Sequence, residues 1–191
     1  QEEALLKIIE NMNTEDFLFV SGSHPEGITY TTYEKIAKTA QLRGFKLILD
    51  TSADFVPDLL KYRPYLIKPN DEELAEWFGL INPSLEEIKD CGQKLLEKGA
   101  ENALVSLGEK GAILFTPTET IHVTAPKGEV VNTACAGDTL LATFVGSQLL
   151  GLSDEQALIK AVAAGSSTAF RPGLTDFSDV PTLMQQIKRI S

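Results

Sequence analysis

Only two cysteines, Cys91 and Cys135, occur in the 191 residues. Two thiols cannot build a disulfide framework or a structural zinc site, so a reducing compartment is the default and the cytoplasm is expected. Basic side chains are the minority, 17 against 27 acidic, which gives a formal charge of −10 and a pI near 4.7. A surface of that sign repels a phosphate backbone instead of replacing its condensed cations. That argues against nucleic acid as a partner, and anionic membrane surfaces are disfavoured in the same way. Long apolar runs are missing too. The longest uncharged stretch, Thr139 to Leu152, is interrupted by Gly146, Ser147 and Gln148 and stays short of the ~18 residues a membrane helix needs. Gln1-Glu2-Glu3 is no signal peptide, and because no Met opens the chain a piece of a longer protein is expected. Internal repeats, linkers and low-complexity tracts are absent. So are the Walker A lysine motif and the Gly-x-Gly-x-x-Gly fingerprint, which weakens P-loop and Rossmann readings.

What is present is 43% apolar and 23% charged residues, enough to exclude disorder and to fill a sizeable core. Periodicity switches repeatedly between short apolar runs and helix-like stretches, the pattern of βαβ units on a parallel sheet. Strands are expected at Phe17 to Val20, Lys46 to Leu49, Tyr65 to Ile67, Ala103 to Ser106, Ala112 to Phe115 and Thr120 to Val123. Helices are expected at Ile28 to Arg43 before Gly44, Asp71 to Phe78 before Gly79, and Ser84 to Lys98, which a Ser-x-x-Glu box opens and Gly99 closes. Three more follow at Asp138 to Leu150, Asp154 to Phe170 and Pro181 to Ile190. One α/β domain over residues 1–191 fits this pattern.

Open parallel sheets bind ligands beyond the C-terminal ends of their strands, where loops and helix N-termini gather. Three of the five candidate loops there carry chemistry. In Ala136-Gly137-Asp138, small residues open an apolar helix, so an anion can approach the unpaired N–H groups of the first turn with a carboxylate beside it. The plain alternative is an acid at a helix start that complements the dipole. In Lys68-Pro69-Asn70-Asp71-Glu72-Glu73, Asn70 and Glu73 fall on one side of a first turn and could hold Mg²⁺ directly or through its waters. The alternative is a capping box. Ser106-Leu107-Gly108-Glu109-Lys110-Gly111 is a nucleotide loop or simply a hairpin turn.

Taken in order, these motifs resemble the ribokinase-like (PfkB) carbohydrate kinases, in their 1-phosphofructokinase and tagatose-6-phosphate kinase branch. The resemblance runs from Ser21-Gly22-Ser23 through Asp50-Thr51-Ser52, Lys68 to Leu74 and Ser106-Leu107-Gly108 to Val131-Asn132-Thr133 and Ala136-Gly137-Asp138. Pro126-Lys127-Gly128-Glu129-Val130-Val131-Asn132 looks more like the 1-phosphofructokinases. The resemblance implies a three-layer α/β/α sandwich with a mostly parallel sheet, and ATP-dependent phosphorylation of a sugar phosphate, foremost fructose 1-phosphate, with tagatose 6-phosphate as the alternative. It implies Asp138 as general base and the N–H groups of Ala136, Gly137 and Asp138 as an anion hole. Lys68, Asn70, Ser106, Gly108 and Gly111 would then serve the nucleotide, and Asn70 with Glu73 would order Mg²⁺. The adenine would lie between Ile121 to Val130 and the helix carrying Ala161, Ala164 and Gly165.

Two departures stand out. Cys135 replaces the glycine usual before Ala-Gly-Asp, at a cost on the order of 1 kcal/mol if φ is positive there. Thr143 replaces a smaller residue. Family chains are also longer, so this chain corresponds to their C-terminal part, without the N-terminal portion and the lid through which homodimers form. Two other classes compete with the kinase reading. One is a non-catalytic nucleotide-binding remnant. The other makes Cys135 a thiol nucleophile, for which only His24 or His122 could act as base.

Overall fold

The switching periodicity is realised as alternating strands and helices in a computed structural model, which describes residues 2–23 and 28–190. Two units separate by their internal contacts: Gln1–Val105 with Phe115–Glu119, and Ser106–Leu114 with Thr120–Ser191.

The first unit is a parallel ladder with helices between its strands. Its elements are α1 (Glu2–Ile9), β1 (Phe17–Ser21), α2 (Tyr30–Arg43), β2 (Lys46–Asp50), α3 (Val56–Leu59) with a 3₁₀ turn at Leu60–Tyr62, β3 (Leu66–Ile67), α4 (Asp71–Phe78), α5 (Leu85–Glu97) and most of β4 (Ala103–Ser106). All three pairings, β1 with β2, β2 with β3 and β3 with β4, are parallel. The inner strands are buried at nearly every position, as strands covered on both faces must be. Strand β1 alternates partly exposed and exposed positions, with Phe19 open to solvent.

Helix limits follow local rules. Gly44 stops α2 in the left-handed region (φ 81), its N–H donating to Ala40 O at 2.7 Å, and Gly79 stops α4 the same way (φ 66). Ser84 and Glu87 form the anticipated capping box on α5. That helix buries Ile88, Cys91 and Leu95, spaced to share one face, each aliphatic burial contributing about 1.5–3 kcal/mol. Gly92, on the same face, leaves room for the Phe115 ring, which a Cβ would meet at 2.2 Å.

The second unit holds most of β5 (Ala112–Phe115), then β6 (Thr120–Val123), α6 (Ala136–Leu149), α7 (Asp154–Ala169), α8 (Val180–Met184) and β7 (Arg189–Ile190), which pairs antiparallel with β6. Helix α6 is buried on most sides by Leu140, Leu141, Thr143, Phe144 and Val145, and so shows little amphipathic pattern. Against it lies the small-residue face of α7. A Cβ at Gly165 would stand 3.0 Å from Ala136 O and 3.1 Å from Leu140 Cβ, so glycine is what lets α7 approach the first turn of α6.

Three expectations need correction. The helix expected from Pro181 to Ile190 ends at Met184, because the chain beyond it is captured by the β6 edge: Thr124 N–H donates to Lys188 O (2.9 Å) and Lys188 N–H to Thr124 Oγ1 (3.0 Å). Helix α2 begins at Tyr30 instead of Ile28, after Thr29 as N-cap, and α6 begins two residues early, at Ala136. Helices α1 and α3 were not anticipated. Among the described residues no helix is long and apolar enough to cross a membrane.

Candidate active site

In the first unit the candidates lie just past β2 and β3. Asp50 ends β2 and Lys68 follows β3 by one residue; the Leu49↔Ile67 register, carried one step further, sets them side by side. Their side chains form an ion pair at 2.9 Å, with Lys68 only 7% exposed and Asp50 14%. Lys68 N–H also donates to Leu49 O at 2.9 Å, which fixes the backbone that carries the ammonium.

Two residues on, Asn70 and Glu73 make a complete capping box on α4. Asn70 Oδ1 accepts from Glu73 N–H (2.7 Å), and Glu73 Oε2 accepts from Asn70 N–H (2.9 Å). With Asp71 and Glu72 beside Glu73, the first turn of α4 is strongly acidic. Helix-start N–H groups met by their own side chains do not attract anions, whereas the oxygens gathered here suit a cation. Glu73 Oε1 makes no hydrogen bond among the described residues, and no group of three or more His, Cys, Asp or Glu there could hold a metal ion. Mg²⁺ keeps several of its own waters, so Asn70 and Glu73 would supply only part of its ligand set.

In the second unit the turn Ala136-Gly137-Asp138 opens α6, with Cys135 as a left-handed N-cap (φ 60, ψ 6) whose side chain makes no capping bond. Ala136 N–H reaches Thr133 O at 3.2 Å, and Thr139 N–H begins the helical ladder by donating to Cys135 O at 2.9 Å. The N–H groups of Gly137 and Asp138 have no partner among the described residues. The Asp138 carboxylate is exposed and likewise unpaired there, so the turn offers two open donors and one open carboxylate. The segment leading in is tied down: Val131 and Asn132 N–H groups donate to Ala169 O (2.8 and 3.1 Å), and Asn132 Nδ2 donates to Pro172 O (3.3 Å).

Ser106 to Gly111 folds as a tight turn closed by Leu107 N–H to Gly111 O at 2.9 Å. Gly108 (φ 56) faces open space, with nothing within 4 Å of a built Cβ, so a ligand can reach its backbone. Gly111 (φ 98) is needed for packing, since a Cβ there would meet Val123 O at 1.9 Å. Ala161 and Ala164 are fully buried and Gly165 abuts α6, so these three serve helix packing and present no open surface to a base. His122 is buried in β6, Cys135 is exposed, and His24 lies outside the described residues together with Pro25, Glu26 and Gly27. Sequence reasoning gave Asp50 no role of its own; the available signal was that it ends one predicted strand as Lys68 follows the next.

A family model described as pfkB family carbohydrate kinase matches residues 1–182. A Bacillus licheniformis protein named D-tagatose-1-phosphate kinase is 46% identical over 189 residues, 98% of this chain and 62% of its own. Bacillus subtilis 1-phosphofructokinase is 35% identical over 186 residues, 97% of this chain and 61% of its own. This chain thus spans about three-fifths of the length of these curated relatives. Among solved structures, a Staphylococcus aureus protein provisionally named a phosphofructokinase aligns with TM-score 0.92 and 36% identity, over 100% of this chain and 62% of that one. An Arabidopsis thaliana ribokinase with ribose and ATP aligns with TM-score 0.76 and 27% identity, over 96% of this chain and 59% of that one. The fold is α/β and ribokinase-like.

Proposed function

The chain belongs to the pfkB family of carbohydrate kinases, and on that premise we propose that its protein transfers the terminal phosphoryl group of ATP to a hydroxyl of a ketohexose 1-phosphate, foremost fructose 1-phosphate. The observation that carries the reading is the first turn of α6, where two N–H groups and a carboxylate without partners among the described residues share three residues. The backbone donors of Gly137 and Asp138 offer hydrogen bonds to a negatively charged group, and the Asp138 carboxylate takes the proton of the acceptor hydroxyl. Phosphoryl transfer asks for positioning and charge neutralisation more than for covalent chemistry from the protein.

Lys68 supplies a buried positive charge for phosphate oxygens. Ser106, Gly108 and Gly111 form the turn along which the nucleotide lies, with Gly108 as its open position. Asn70 and Glu73 would hold Mg²⁺ directly or through its waters, with Glu73 Oε1 as the oxygen not already used in capping. Bound Mg²⁺ neutralises phosphate charge. A homodimer built through the part of the family chain not spanned here, and a cytoplasmic location, belong to the same reading.

D-tagatose 1-phosphate is the second acceptor to test, because the relative bearing that name is 46% identical against 35% for the 1-phosphofructokinase. The experiment is ATP consumption by the full-length protein with fructose 1-phosphate, tagatose 1-phosphate, tagatose 6-phosphate and fructose 6-phosphate in turn. Turnover is expected with a 1-phosphate and is expected to collapse in Asp138→Asn. A variant with near-normal turnover removes the base assignment, and a protein that consumes ATP with none of the four removes the acceptor class.

A further inference from the structure

We propose that Asp50 is a positioning residue, which holds the Lys68 ammonium at the ends of β2 and β3 so that its remaining N–H donors face a polyphosphate. The ligand's identity rests on the kinase reading above; the arrangement itself rests on the first unit alone.

Parallel register makes the pair. Ser21 pairs with Asp50 across β1 and β2, and one step beyond Leu49↔Ile67 the same ladder sets Lys68 opposite Asp50. Both backbones are pinned, Gly22 N–H donating to Asp50 O and Lys68 N–H to Leu49 O, each at 2.9 Å. A slip of one residue in β3 would send Lys68 to the opposite face of the sheet. The pairing is therefore built into the sheet and does not depend on a chance surface rotamer.

The chemistry of the pair is unbalanced. An ammonium carries three donors, and at 7% exposure Lys68 has little water to satisfy them. Asp50, at 2.9 Å, is its only side-chain partner among the described residues. Buried ion pairs of this kind are poor stabilisers, since apolar side chains of similar size often do as well or better. Stability alone thus gives little reason for a lysine with spare donors at this point of the sheet. A second anion would use the spare donors, while Asp50 keeps the long side chain from wandering when that anion is absent. The rim where strands end and helices begin is where such an anion binds in open α/β sheets.

A rival reading makes Asp50 a plain repeller of phosphate, which predicts the opposite sign. Isothermal titration of the full-length protein with ATP and with AMP, without added acceptor, separates the two. With Asp50→Asn we expect ATP affinity to fall about tenfold or more while AMP affinity holds, and Asp50→Glu to recover part of the loss. In a Lys68→Gln background, Asp50→Asn should change ATP affinity less than about twofold, because on this proposal the effect of Asp50 on ATP passes through the ammonium. That double variant removes both members of the ion pair together and carries the test if Asp50→Asn alone fails to fold. Equal losses for ATP and AMP would reduce Asp50 to a structural role and overturn the proposal. Tighter ATP binding in either Asn variant would overturn it in favour of repulsion. Wild-type protein that binds ATP no better than AMP would overturn the kinase reading and this inference together, whereas wild-type preference for ATP that Asp50→Asn leaves intact overturns this inference alone.

Discussion

Helices α4 and α6 both start where an irregular segment follows the strands, yet their first turns are opposite in chemistry. Helix α4 closes its own N-terminus: Asn70 and Glu73 satisfy each other's N–H groups, and Asp71 and Glu72 lie between them. Helix α6 leaves its N-terminus open, with a cap residue that makes no side-chain bond and with Gly137 and Asp138 N–H groups unpartnered among the described residues. The dipole is alike at both ends, so the side chains decide what each end offers: carboxylate and amide oxygens at α4, open N–H donors at α6. A helix start alone says little about binding until its donors have been accounted for.

The contrast is broken most severely by Asp138→Asn, which keeps the open donors of α6 but removes the proposed base. Turnover is expected to fall about 10²- to 10⁴-fold, measured as ATP consumption, with ATP affinity nearly unchanged. Next comes Gly165→Ala. Its Cβ presses on Ala136 O at 3.0 Å and Leu140 Cβ at 3.1 Å, so the open turn must shift, at a cost of about 1–3 kcal/mol in chemical denaturation and with weaker ATP binding. The α4 side is sharpened by comparing Asn70→Ala with Ser84→Ala, since both residues cap helices through a complete box. Each is expected to cost about 1 kcal/mol in thermal unfolding, while only Asn70→Ala raises the Mg²⁺ concentration needed for activity.

Cys135→Gly should have a smaller effect of opposite sign. Its φ of 60 is easier for glycine, so stability rises by at most about 1 kcal/mol in denaturant titration. The smallest change is expected on acidification. Asp176 and Asp179 lie in the segment whose Pro172 O receives Asn132 Nδ2, and both carboxyls sit below their ordinary value of 3.8. The Ser178 hydroxyl and N–H and the Arg171 guanidinium hold Asp176 down. At Asp179 burial pushes upward but is outweighed by Ser167 and Arg171. Depressed carboxylates stabilise the fold above the unfolded value and cease to do so as pH falls through the folded one. Amide protection around Thr175 and Ser178 should therefore be flat near neutrality and drop only below about pH 4.

Much of this was readable from local pattern. Strands β4, β5 and β6, the Asn70 and Ser84 boxes and the glycine stops at Gly44 and Gly79 stand where residue spacing put them, because each is decided within about four residues of chain. The exposed Asp138 beside an open turn was likewise visible as a small-residue helix start. Helix α1 was missed although Glu2, Glu3 and the Leu5-Leu6, Ile8-Ile9 spacing already mark an amphipathic start. The segment after Met184 was misread as helix, since nothing within it announces the β6 edge that captures it.

By itself, then, the sequence determined the α/β class, the caps and stops of the helices, and which turns carry small residues and carboxylates, since those depend on near neighbours. Tertiary structure alone decided that Asp50 meets Lys68, that Gly165 braces the first turn of α6, and that the C-terminal residues pair as a strand. Each of these joins residues far apart in the chain, through strand register or helix packing, and such distances leave no local periodicity to read.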